Sequence, residues 1–220
     1  MKHFLRIVAL LIVLAIVLVG LGYDVPYISD LPFIDKPENS VKSIMTQEKL
    51  MEFLSYFEKY YSELDPDSED YSMMLSEFFT SPAVKSFLLD NVHTINYNIT
   101  NVSKNGDNAT VTALITHLDI YPVIDRVYDL FVSKLKELDS IPEKEEDKIS
   151  LILPLLQKSI KDATSQTKPT VTYSNVIFEC EKYALRSWEL KEVPDDFIEV
   201  LLMNIDPSME KASKEYFFDS

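Results

Sequence analysis

After residue 22 this chain contains a single glycine, Gly106, and that scarcity narrows the available folds and chemistries. A glycine-rich phosphate loop needs several glycines close together so that backbone amides can approach the phosphates. Nucleotide chemistry through the common loops is therefore excluded. The one glycine sits in Asn105-Gly106-Asp107, between two alternating stretches. Ile95, Tyr97 and Ile99 precede it, and Val111, Ala113, Ile115 and His117 follow. This pattern predicts a β-hairpin. A two-residue Asn-Gly turn would set Tyr97 against Leu114 and mix the apolar and polar rows. A three-residue turn, Asn105 to Asp107, sets Tyr97 against Ile115 and Ile99 against Ala113. A slip of one residue turns every side chain to the other face, so the matching rows favour the longer turn, with Gly106 at positive φ.

The amino terminus sets the address. Lys2 and Arg6 are followed by 13 uncharged apolar residues, Ile7 to Val19, and then by Gly20-Leu21-Gly22. A basic start, an apolar run and a small-residue end make an export signal. Gly20 and Gly22 could be the small positions before a cleavage site, although neither is the preferred Ala. Ile7 to Tyr23 also gives 17 residues, the short limit for a spanning helix. That favours a retained anchor, with Lys2 and Arg6 inside and the remainder outside. No Cys lies near the segment, which excludes a lipid-modified bacterial amino terminus. The expected organisation is a signal-anchor or signal peptide over 1–22, a stalk over 23–42 containing Pro26, Pro32 and Pro37, and an extracytoplasmic α+β domain over 43–220. Membrane contact is expected through residues 7–23 only, and cleavage of the leader would make the protein secreted.

Without Lys2 and Arg6, 19 basic residues face 36 acidic ones, a net charge of −17. Such a surface repels nucleic-acid phosphates and anionic headgroups, so neither is expected as a ligand. Cys180 is the one cysteine, so no internal disulfide is possible and the core must hold the domain. Its setting in Val176-Ile-Phe-Glu-Cys reads as a small buried hydrophobe rather than a reactive thiol.

Helical spacing of Ile44, Met51, Leu54, Phe57, Tyr61 and Leu64 predicts a helix over 43–64, stopped by Asp65-Pro66. A second is expected over 68–80, with Glu69 and Asp70 in its first turn, and a third from the Ser81-Pro82 cap to about Asp90. Beyond the hairpin, helices are expected over 119–138 and from Pro142 onward, with a kink or break at Pro154. Strands follow over 170–182 and 187–193. In the first, Val176, Phe178 and Cys180 alternate with Val171, Tyr173 and Ile177, which predicts cover on both faces for part of its length. Pro194-Asp-Asp caps a helix carrying Phe197, Ile198, Leu201 and Leu202, and a last amphipathic piece follows Pro207.

The hairpin from Ile99 to Asp119, with its Gly-Asp turn, Ala-Thr-Val and an Asp leading into a helix, has a recognisable form. So does the tail from Val176 to Leu202, with Trp188-Glu-Leu and the Leu201-Leu202 pair. Together they resemble uncharacterised membrane-anchored or lipoprotein domains of Firmicutes, assigned to the cystatin-like, nuclear-transport-factor-type cone fold. The likeness spans about Ser43 to Ile205. It departs at Tyr183 to Ser187, which lacks the usual glycine turn, and in lacking the lipoprotein Cys. The resemblance implies an antiparallel sheet of about four strands wrapped by helices, and an extracytoplasmic address. It brings no catalytic residues.

Enzymes on a cone of that type set an Asp or His beside a tyrosine, which would nominate His117, Asp119, Tyr97 and Tyr173 for an isomerase or hydrolase. Asp119 is also the natural cap of the following helix, and that reading is preferred. His93 and His117 with scattered Asp residues do not make a metal-ligand spacing, and no cofactor is expected. Most of the aromatic stripe of Phe53, Phe57 and Tyr61 reads as core, and Trp188 as a core anchor. Tyr56 and Tyr60 lie off that stripe and could line a groove. The sequence thus favours a non-enzymatic domain binding a cell-surface protein or small apolar ligand, with Tyr56, Tyr60, Tyr97, His117 and Tyr173 as candidate contacts.

Overall fold

A computed structural model describes residues 35–63, 73–138, 145–183 and 187–217. The expected anchor, the first part of the stalk, the start of the second helix with Glu69 and Asp70, and Pro142 lie outside these residues. Among the described residues, no helix is long and apolar enough to cross a membrane.

The elements run α1 (Pro37–Ile44), α2 (Gln47–Glu63), α3 (Met73–Thr80), α4 (Pro82–Thr94), β1 (Asn96–Asn105), β2 (Asn108–Asp119), α5 (Tyr121–Lys136), α6 (Glu145–Gln166), β3 (Thr170–Tyr183), β4 (Ser187–Leu190), α7 (Asp195–Leu201) and α8 (Ile205–Phe217). This is an α+β architecture with one antiparallel four-stranded sheet in the order β1-β2-β3-β4. The chain divides into two compact units, one comprising residues 1–46, 97–114 and 175–196, the other 47–96, 115–174 and 197–220.

The first unit is built on alternation. In the part of β2 that belongs to it, Ala109, Val111 and Ala113 are buried, and in β3 Val176, Phe178 and Cys180 are fully buried. β3 and β4 pair antiparallel with Cys180 opposite Leu190 and Lys182 opposite Trp188. Trp188 is buried, as expected of an anchor, and the Lys182 ammonium lies 5.9 Å from its ring centroid. The hairpin turn differs from expectation. Strands end at Asn105 and resume at Asn108, leaving the two residues Gly106-Asp107 rather than three. Gly106 has φ +60°, as expected of the one residue without a Cβ penalty. Burial in β1 changes phase, from Tyr97 and Ile99 to Val102, so the apolar rows do not match along its whole length and do not fix the turn. The Asp107 carbonyl then accepts the Lys182 amide at 2.8 Å.

α1 lies within residues expected to form the stalk, yet it is docked. Pro37 occupies the first turn, where its missing amide costs nothing, and Pro37, Ser40 and Val41 are buried. The Ser40 hydroxyl donates to the Trp188 carbonyl at 2.5 Å, and the Asp35 carboxylate accepts the Trp188 amide at 2.9 Å. The Cys180 thiol faces the Pro37 carbonyl at 3.7 Å, and burial pushes its pKa up to about 11. It is an inert hydrophobe, as the sequence suggested. The expected helix over 43–64 accordingly starts later, at Gln47.

The second unit is mostly helical. α5 packs on α6 and α8. Across these seams Lys134 pairs with Asp162 at 3.3 Å, and Tyr128 stacks on Tyr216 with ring centroids 6.0 Å apart. α6 continues through Pro154, which faces solvent, where loss of its amide disturbs the ladder least. On α2 and α3, Tyr61 and Phe79 stack at 4.0 Å. Asn91 ties remote elements together. Its amide donates to the carbonyls of Val200 and Leu201 at 3.0 and 2.9 Å, and its oxygen accepts the Leu118 amide at 2.7 Å. α7 ends in two consecutive left-handed residues, Met203 and Asn204, at φ +57° and +59°. Met203 is buried, and its carbonyl accepts the Ile120 amide at 3.0 Å.

The outward row of β3 corrects another expectation. Val171, Tyr173 and Ile177 are more than half exposed, so the strand is not covered on that face there. An apolar side chain is a weak guide to burial on an open sheet face.

Candidate functional site

His117 ends the buried row of β2 and is 0 % exposed. A carbonyl can only accept, so Nδ1–H donates to the Leu118 carbonyl at 2.9 Å. Nε2 then accepts the Ser174 hydroxyl at 2.9 Å. Burial holds the imidazole pKa below its usual value, against the opposing pull of the Leu118 carbonyl and Asp119. The ring is neutral, closed in and fully engaged. Asp119 accepts the Tyr121 amide at 2.8 Å one residue before the N-cap of α5, a position held by Ile120 without a side-chain cap, so the expected cap lies one residue further on. Tyr173 lies on the other face of β3 from Ser174, the partner of His117, and is 65 % exposed. His117 and Tyr173 are not brought together.

Tyr56 and Tyr60 face solvent on α2, at 66 % and 42 % exposure, each edge-on to its neighbour Phe57 or Tyr61. Tyr97, half-buried on β1, belongs to the first unit. His93 is exposed and bonds to Gln47 at 2.5 Å, linking α4 to α2. Among the described residues, no cluster of His, Cys, Asp and Glu could hold a metal ion.

The second unit has a cleft of about 510 Å³ where α3 meets α4 beside α6. Its lining comprises Glu77, Thr80, Ser81, Pro82, Ala83, Gln157, Ile160, Lys161 and Thr164. Buried Ile160 and Thr164 form the floor, and exposed Thr80, Pro82, Gln157 and Lys161 the rim. The volume falls within the range of small-molecule sites. The Gln157 amide donates to one oxygen of Glu77 at 3.0 Å and ties α6 to α3 across the cleft. Thr80 donates to the carbonyls of Ser76 and Glu77, closing the last turn of α3. Pro82 opens α4 as the sequence indicated, but the Ser81 hydroxyl makes no capping bond and stays uncommitted. Among the described residues, Lys161 makes no ion pair.

None of these lining residues was nominated from the sequence. The only local signal was Ser81-Pro82, which marks a helix start. Gln157 and Lys161 read as the polar face of an amphipathic helix, and nothing in their spacing points to Glu77, 80 residues before Gln157.

No family model matches the chain, and no curated protein matches it either. Among solved structures it is similar to YcdA, a candidate lipoprotein of Bacillus subtilis, at 20 % identity and a TM-score of 0.35. That match covers 82 % of this chain and 50 % of the other, so the chain spans about half the length of that protein. At that level of likeness neither fold nor activity is carried across.

Proposed function

We propose that this chain is a non-enzymatic binding module of the cystatin-like cone type, held outside the cell membrane by residues 7–23 and taking a small ligand in the cleft of its second unit. One contrast carries the reading. The cleft is open and of ligand size, and its Ser81 hydroxyl and Lys161 ammonium are unengaged beside buried Ile160, whereas His117, the best candidate for chemistry, is closed in. A general base needs a path to substrate and a free nitrogen, and both ring nitrogens of His117 already have partners. The tether rests on the basic start and apolar run of the leader.

Native mass spectrometry of the full chain, released gently from its own membranes, tests both parts. The expected spectrum shows an intact mass that includes residues 1–22 together with a small co-purifying mass. A mass lacking the leader removes the tether. A bare monomer that also acquires nothing from a membrane extract removes the small-ligand reading. Processing of a substrate by the purified chain, abolished by His117→Gln, would replace binding with catalysis.

A further inference from the structure

Resting on that reading, we infer that the cleft takes a small zwitterion, of the size and chemistry of a dipeptide with free amino and carboxyl termini. The lining offers two opposite charges. Glu77 lines the cleft and keeps one carboxylate oxygen beyond the one held by Gln157, an acceptor for an ammonium. Lys161 and the Ser81 hydroxyl offer an ammonium and a donor to a carboxylate, and Ala83 in the first turn of α4 adds a backbone amide that no helical carbonyl takes. Between these polar groups Ile160 and Ala83 supply an apolar surface for a side chain.

The charge of the whole chain separates a zwitterion from its competitors. A net charge of −15 repels a simple anion at long range, whatever Lys161 offers within the cleft. A simple cation gains from that field and from Glu77 but leaves Lys161 and the Ser81 hydroxyl without a partner. A zwitterion carries no net charge into the field and satisfies both groups at once.

Calorimetric titration of the full chain with leucylalanine, N-acetyl-leucylalanine and leucylalanine amide tests the assignment. Free leucylalanine is expected to bind, with each capped form about tenfold weaker, as follows from losing one charged hydrogen bond. Glu77→Gln should weaken the free peptide about tenfold without further weakening the N-acetyl form. Lys161→Met should do the same against the amide. Both side chains lie at the cleft surface, and unchanged melting of the two variants verifies that the fold is intact. Equal affinity for free and capped peptides, or absence of binding by the free peptide, overturns the inference. A co-purifying ligand lacking either charge would also overturn it while leaving the binding-module reading standing. Failure of that reading itself shows separately, as a chain that carries nothing in the native spectrum.

Discussion

Among the described residues, the buried side chains of the first unit are apolar apart from Ser40, whereas the second unit buries Asn91, His117, Ser159, Thr164 and Ser208. In the first, β2 and β3 place every second side chain inside, and the hydrophobic effect needs only the right parity to act. In the second, helices that could slide or rotate on one another are pinned by directional bonds to remote backbone. Asn91 reaches carbonyls 109 and 110 residues away. A sheet thus takes its alignment from its own ladder, and packed helices need polar pins to fix theirs.

The largest loss that tests this contrast is expected from Phe178→Ala. It empties a fully buried site in the first unit and should cost about 4 kcal/mol. Phe178→Leu, which keeps most of the volume, should cost about 1 kcal/mol. Asn91→Leu keeps volume in the second unit and removes only polarity. The Val200 carbonyl retains the Met203 amide at 3.2 Å, so the groups left without a bond are the Leu201 carbonyl and the Leu118 amide. Two orphaned groups cost about 3 kcal/mol together. Denaturant titration of the three variants decides the matter. If the volume-conserving Asn91→Leu were as mild as Phe178→Leu, the second unit would be held by burial like the first.

The same contrast explains what could be read from the sequence. The hairpin, the buried row from Val111 to His117 and the burial of Cys180 and Trp188 follow from period and from a lone glycine. Helix starts at Pro82 and before Tyr121 follow from local chemistry. The docking of α1 did not emerge, because Pro37 among Pro26 and Pro32 reads as stalk and its partner Trp188 lies 148 residues beyond Ser40. The outward row of β3 misled because Val171, Tyr173 and Ile177 are apolar yet exposed. The cleft was invisible for the reason Asn91 was: its walls come from segments far apart in the chain, and each residue is ordinary for its own helix. Of the nominated residues, His117 was correctly placed on a buried row, but its burial closes it instead of arming it.

His117 sharpens the comparison through pH. Its folded pKa lies below the usual 6.5, because burial disfavours the charged ring. As pH falls through 6.5 the unfolded chain takes up a proton that the folded chain refuses. The contribution of His117 is therefore whole above that pH, declines as pH falls towards the folded pKa, and levels off below it. Stability measured from about pH 7 to about pH 5 should fall more steeply for the natural chain than for His117→Gln, whatever the variant does to absolute stability. Parallel profiles would mean that the ring protonates in the folded state. Val176→Ala in the first unit, which removes no titratable group, should lower the whole curve and leave its slope unchanged.

The smallest expected effect concerns how each unit makes its left-handed turn. The first uses Gly106 at φ +60°, with nothing within 4 Å of where a Cβ would stand. Gly106→Ala therefore meets no steric obstacle beyond its own backbone and should cost about 1 kcal/mol, the conformational penalty alone. The second unit makes its turn without glycine, through Met203 and Asn204. Asn is the residue that best tolerates this conformation after glycine, so Asn204→Gly trades a small relief of strain against a more flexible unfolded chain and should shift stability by no more than about 0.5 kcal/mol. Met203→Gly relieves the same strain yet loses a fully buried side chain, and should cost about 3 kcal/mol. Melting curves of the three variants read the order directly. A large gain from Asn204→Gly would show that the second unit holds real strain at the end of α7; near-neutrality, with Met203→Gly severe, shows a turn whose strain is outweighed by what Met203 packs against.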